Sequence, residues 1–131
     1  MIEKLFSGID LVEVARFRDL NPGILQRFYA RVFTPQERAY IGESFERAAG
    51  IFAAKEALVK ALGCGIGPVR WQEVAIHYDA QGKPVPELTG NAKAAGDALG
   101  IAAWSVSISH TKSSAAAMAV ALSTKPDQAG I

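Results

Sequence analysis

The sequence predicts an α+β fold in which an antiparallel sheet packs against helices. Two patterns carry that expectation: capped helical stripes fill the first half of the chain, and runs of alternating polarity joined by short turns fill the second. Half of the 131 residues are hydrophobic, so one domain with a core of its own is possible, but not comfortably two. The expected domain spans residues 1–122, with 123–131 as a frayed tail.

The elements follow in order. Phe6 to Val14 reads as a strand that carries Asp10 near its middle or end. Ala15 to Leu20 reads as a short helix broken at Asn21-Pro22-Gly23. Ile24, Leu25, Phe28, Tyr29 and Val32 then mark a helical stripe. Thr34-Pro35-Gln36-Glu37 is a capping box with proline at the first helical position, and that helix should stop near Gly42. Ser44 caps the long helix, which ends at Leu62 with Gly63 suited to a left-handed stop.

Val74, Ile76 and Tyr78 alternate with Ala75, His77 and Asp79, and Asp79-Ala80-Gln81-Gly82 reads as a hairpin turn. The strand after it contains Pro84 and Pro86, so it should be short or an edge. Asn91 to Leu99 reads as a helix closed by Gly100. Trp104, Val106 and Ile108 alternate with Ser105, Ser107 and Ser109, the pattern of a strand buried on one face. Ala115 to Leu122 is helical by its alanine content, but a strand by the alternation of Met118, Val120 and Leu122.

Composition excludes several classes. A net charge of +1 is too mild to argue for nucleic-acid binding. Basic residues are uneven, however: Arg16 to Arg47 holds six arginines against four acids, a modest basic face that would suit an acidic partner. One cysteine, Cys64, excludes an internal disulfide and fits a reducing, cytoplasmic setting; a sulfur-ligated zinc site is equally unsupported. The N-terminal residues lack the apolar run of a signal peptide, and no stretch approaches a membrane span.

Chemistry concentrates in the long helix. Phe52, Glu56 and Lys60 are four residues apart and line one face, with Phe45 and Ala49 near the same stripe. A lone carboxylate on an inward face must be paired, protonated or bound to a metal. An ion pair between Glu56 and Lys60 at a half-exposed edge is one answer; a metal site is another. Lys55, about 100° around the helix from Glu56, can reach phosphate or solvent. Gly63, Gly65 and Gly67 form a loop whose N–H groups can meet an anion. It follows a helix rather than opening one, so it is no dinucleotide fingerprint, and it lacks the closing Gly-Lys-Ser/Thr of a P-loop. Ser109 and His110 do not make a serine hydrolase: neighbouring strand residues point to opposite faces, and no nucleophile elbow or orienting acid accompanies them. His77 reads as a surface residue.

Three blocks stand in order: Gly8-Ile9-Asp10-Leu11-Val12-Glu13-Val14-Ala15-Arg16-Phe17, Phe52-Ala53-Ala54-Lys55-Glu56-Ala57 running on to Gly67, and Val106-Ser107-Ile108-Ser109-His110-Thr111-Lys112. Phe33-Thr34-Pro35, Trp71-Gln72-Glu73-Val74 and Gly82-Lys83-Pro84 lie between them. Together, from about Phe6 to Leu122, they resemble the holo-acyl carrier protein synthases, the small bacterial class of 4′-phosphopantetheinyl transferases. The resemblance implies that family's fold, and with it a strand at Ala115 to Leu122. It also implies an enzyme that moves the phosphopantetheine arm of coenzyme A onto a serine of an apo acyl carrier protein, releasing adenosine 3′,5′-bisphosphate.

By the same resemblance Asp10 and Glu56 hold Mg2+, and Lys60 binds a phosphate oxygen or steadies the leaving group. Lys55, Lys60, Gly63, Gly65, His110 and Thr111 meet the coenzyme. Arg16, Phe17, Leu20 and Arg27, with Phe28 as a weaker candidate, receive the carrier protein. The family implies a homotrimer with sites between subunits, placed in fatty acid biosynthesis. A non-catalytic coenzyme A or carrier-protein module with the same fold is the rival reading; retention of Asp10, Glu56 and Lys60 together argues against it.

Three departures stand out. Relatives usually carry an arginine where Ile51 stands; either another base, such as Lys112 or Arg70, takes over the phosphate, or the enzyme tolerates weaker coenzyme binding. Cys64 replaces the usual threonine between the glycines. Asn21 to Ile24 is less basic than usual.

Overall fold

The computed structural model describes residues 3–124. Ten helices and strands run β1 (Lys4–Glu13), α1 (Ala15–Arg18), α2 (Pro22–Val32), α3 (Pro35–Ile41), α4 (Phe45–Leu62), β2 (Val74–Tyr78), β3 (Pro84–Leu88), α5 (Gly90–Ala98), β4 (Ile101–His110) and β5 (Ser114–Ser123), with one 3-10 turn at Trp71–Glu73. The α+β architecture with antiparallel pairing is the one the sequence predicts. β1, β5 and β4 form one sheet in that order, and β2 and β3 form a separate two-stranded ribbon.

Local chemistry sets the helix ends. Asn21 caps α2 by accepting the Gly23 N–H at 2.8 Å, with Pro22 as its first residue, so the predicted break is also a start. Thr34 and Glu37 close a reciprocal capping box on α3. Ser44 accepts the Arg47 N–H at 3.1 Å, and α4 stops at Gly63 with φ 77, a conformation that favours glycine.

The helix α4 is the hub. Its residues 48–55, 57–59, 61 and 62 are buried. It lies across the inner face of the large sheet, with α1, α3, α5 and β2 against its other sides. The approach to the sheet is close. A Cβ on Gly8 of β1 would overlap the Ala57 carbonyl, and one on Gly50 of α4 would stand 3.1 Å from the Ile108 side chain.

This close approach decides which face of β5 turns inward. Its strand state holds, but Met118, Val120 and Leu122 do not face the core. Ala115, Ala117, Ala119 and Ala121 do, while Met118 is 47% exposed. Only a methyl group fits beneath α4, so the larger side chains turn outward. Leu5 and Ile9 stand in register with Leu122 and Met118, and Leu11 with Ala116; Leu5, Ile9 and Leu11 are all exposed. The ribbon strand β2 departs as well: Val74, Ala75 and Ile76 are all buried, because the core covers both of its faces there. β5 continues through Ser123, whose hydroxyl donates to Leu99 O at 2.8 Å, one residue past the expected limit. The rest of the expected tail, from residue 125, lies outside the described residues.

Candidate active site at the crossing of β1 and α4

An edge strand and a fully packed helix meet where the sequence places its carboxylates. On β1, Phe6, Gly8, Asp10 and Val12 point toward α4, and Asp10 is in register with Ala117. Gly8 lets the two backbones close, and the next inward residue, Asp10, then faces the last turns of the helix. There Lys60 donates to Asp10 Oδ1 at 3.1 Å and to Ile9 O at 2.9 Å. Its ion-pair partner is thus Asp10, and not Glu56 as helical spacing alone suggests.

Glu56 is half-buried beside them. Burial first, and then the negative charge of Asp10, push its carboxyl above the ordinary value; Lys60 and Arg16 pull the other way. Two carboxylates that repel one another in a partly desolvated setting are the pair that the resemblance assigns to a cation. Among the described residues no cluster of three or more His, Cys, Asp or Glu surrounds it. The donors are carboxylate oxygens alone, which suits a hard ion such as Mg2+, whose other positions water and phosphate would fill.

Lys55 must be corrected. It reaches neither phosphate nor solvent. It is fully buried and donates to Glu37 Oε1 at 2.8 Å, Glu37 Oε2 at 3.1 Å and Val74 O at 3.0 Å. Glu37 also accepts the Ile76 N–H at 2.7 Å and the Thr34 N–H at 2.9 Å. α3, β2 and α4 are tied at one buried point, and no proton on Lys55 is left for a ligand. Helical angle gave its direction, but not the acid packed there from another element.

Gly63 also loses its assigned part: its N–H donates to Val59 O and Lys60 O, so it ends the helix rather than presenting to an anion. Gly65 follows in the exposed loop, at φ 71. Ile51 is no vacant ligand position. It is fully buried in the core, so an arginine there in this chain would have nowhere to go.

His110 ends β4 exposed, paired with Ala115, which on its other side pairs with Val12. His110 therefore shares the inner face of the sheet with Asp10. The Thr111 oxygen accepts the Ser113 and Ser114 N–H groups at 3.2 and 3.1 Å and shapes the hairpin that follows His110.

Of the docking candidates, Arg16 and Arg27 are exposed and Leu20 is half-buried. Phe17 is not available. It is 1% exposed and packs on Phe28 and Phe52, with ring centroids 5.6 and 5.8 Å away. The guanidinium of Arg16 lies over the Phe52 ring at 4.9 Å, one helical turn before Glu56. Phe52 in turn contacts Trp71 at 5.2 Å, and beyond Trp71 opens a cavity of about 530 Å³ bordered by Arg31, Gly67 and Arg70. Spacing could not flag this cavity, because α2, the loop after α4 and the 3-10 turn are joined only by folding.

Residues 7–121 match the model of the 4′-phosphopantetheinyl transferase superfamily. The chain is 45% identical over 115 residues to a holo-[acyl-carrier-protein] synthase of Solidesulfovibrio magneticus, covering 86% of this chain and 94% of that one. It is 42% identical over 121 residues to one of Alkaliphilus oremlandii, covering 88% and 96%. Among solved structures it resembles the Helicobacter pylori holo-[acyl-carrier-protein] synthase in complex with coenzyme A, at a TM-score of 0.79 and 32% identity, covering 88% of this chain and 98% of that one.

Proposed function

The chain belongs to the 4′-phosphopantetheinyl transferase superfamily, and on that premise we propose which of its residues carry the reaction. It is an enzyme that transfers the 4′-phosphopantetheine arm of coenzyme A to a serine of an apo acyl carrier protein, giving holo carrier protein and adenosine 3′,5′-bisphosphate. The observation that supports the residue roles is the meeting of Asp10, Glu56 and Lys60 at one crossing.

In this reading the serine oxygen bonds to the pantetheine-side phosphorus, and the bond from that phosphorus to the bridging oxygen breaks. The serine proton passes to solvent water, and the adenosine bisphosphate departs with the electron pair. Mg2+, when bound, neutralises the phosphoryl oxygens on which charge builds. Asp10 and Glu56 would hold it. Lys60 would stabilise a phosphate oxygen from the other side, and the half-buried setting would strengthen each of these contacts. Gly65, His110 and Thr111 would border the coenzyme, Thr111 by fixing the turn after His110. Arg16, Leu20 and Arg27 would steer an acidic carrier protein toward the site.

The outward row of Leu5, Ile9, Leu11 and Met118 supports a homotrimer that covers this face. A cavity of about 390 Å³ lined by Ser7, Gly8, Ile9, Lys60 and Met118 joins that face to the site, which supports sites lying between subunits. Light scattering should report three copies; a fully active monomer refutes this. No helix among the described residues is long and apolar enough to cross a membrane. A cytoplasmic place in fatty acid biosynthesis is the corresponding expectation, supported by the free Cys64.

The decisive experiment incubates apo carrier proteins of fatty acid, polyketide and peptide synthesis with the enzyme, coenzyme A and Mg2+, and weighs them. At least one should gain a single phosphopantetheine arm, and Asp10→Ala should abolish the gain. No gain on any carrier, or full transfer by Asp10→Ala, overturns the reading.

A further inference from the structure

Lys60 already occupies part of the place a metal would need. Its ammonium lies 3.1 Å from Asp10 Oδ1, so one of the two carboxylates that would share a divalent ion is neutralised by a cation from the helix itself. An ammonium and a dication cannot both crowd one carboxylate without strong repulsion. We propose that Lys60 is a displaceable occupant of the metal site, which neutralises Asp10 in the free enzyme and is drawn off by the phosphates of coenzyme A, so that metal and coenzyme bind cooperatively through one side chain. This rests on the metal and coenzyme roles assigned above.

Three features give the side chain this freedom. Its side chain is 51% exposed, whereas that of Lys55 is fully buried. It borders the cavity lined by Ser7, Gly8, Ile9 and Met118, so it can swing without disturbing packed neighbours. Its second acceptor, Ile9 O at 2.9 Å, is a neutral carbonyl. The amine can pivot on that carbonyl, giving up Asp10 while turning a proton toward a phosphate oxygen. Arg16 and Glu56 complete the charged surroundings. Arg16 is held over the Phe52 ring, one helical turn before Glu56.

The test is a binding cycle with Mn2+ as a paramagnetic probe, read as free ion by electron spin resonance, on the wild type and Lys60→Met. Each is measured alone and with saturating coenzyme A, and circular dichroism checks that the exposed substitution leaves the fold intact. Without coenzyme A, Lys60→Met should hold Mn2+ about tenfold more tightly than the wild type, within the usual range of coupling between two sites. With coenzyme A the two should differ by less than about threefold, because the lysine has already left Asp10. Equal tightening in both states would mean that the ammonium repels the metal from wherever it sits, and overturns the exchange. So does an unchanged affinity without coenzyme A. Failure of the wild type to bind Mn2+ even with coenzyme A overturns the metal assignment itself, and the exchange with it; transfer of the arm, weighed separately, distinguishes that outcome.

Discussion

Lys55 and Lys60 leave the same helix and both end on a carboxylate, yet they do opposite work. At Lys55 every partner is used: two oxygens of Glu37 and the Val74 carbonyl take its protons, and Glu37 spends its remaining capacity on two backbone N–H groups. Among the described residues no buried side-chain nitrogen or oxygen lacks a partner. At Lys60 the accounts are open. Asp10 is partnered, Glu56 is pushed toward protonation, and the amine is half in solvent. A closed set of partners fixes geometry and cannot respond to a ligand; an open one responds because it is not settled.

The largest expected difference is in stability. Lys55→Met strands a buried Glu37 carboxylate and should cost about 3–5 kcal/mol in urea unfolding. Lys60→Met should cost no more than about 1 kcal/mol, while transfer is lost. Similar losses of stability in the two variants would erase the contrast. A smaller effect probes the seam between β1 and α4. Gly8→Ala forces a methyl group into the Ala57 carbonyl and should destabilise by about 1–3 kcal/mol. It should also lower transfer more than an equally destabilising change at the far end of α4, because it separates Asp10 from Glu56. Equal losses of transfer would show that the crossing tolerates movement.

The smallest effect is in pH. The Glu56 carboxyl sits above its ordinary value of 4.5, chiefly through burial. Between that value and the raised one the folded protein holds more protons than the unfolded chain. Stability from this group is therefore greatest at and below the ordinary range and declines as pH rises through the window. Glu56→Gln should flatten that decline in metal-free protein, measured by urea midpoints from acid to neutral pH. An unchanged slope would place the charge of Glu56 in a fully solvated setting.

What could be read from the chain was local. Asn21, Thr34, Ser44 and Gly63 act within a few residues of themselves, so their chemistry is visible in order along the sequence. The serine–apolar alternation of β4 was legible for the same reason. Asp10 and Glu56 were placed together through the family resemblance; at the crossing Asp10 meets Lys60, and its charge acts on Glu56. What was not legible depends on which element arrives from elsewhere. Lys55 meets Glu37 from α3, Phe17 is covered by α2 and α4, and Ile51 is enclosed by the core. Which face of β5 turns inward was not legible, because size, usually a guide to the interior, is overruled where a helix backbone comes close.

The position of β5 in the sheet has a consequence for how the protein comes into being. It is the central strand, pairing Lys4 of β1 with Ser123 on one side and β4 on the other, yet it is the last strand among the described residues. A chain emerging from the ribosome has β1 without its strand partner until all the other described elements have been made. α4, apolar on most of its surface, waits just as long for the alanine face it packs against. Closing contacts so far apart in sequence is slow and is rewarded only at the end. Asp10 and Glu56 ride on β1 and α4, both of which pack against β5, so a chain interrupted before β5 should carry both carboxylates without the strand that backs their crossing.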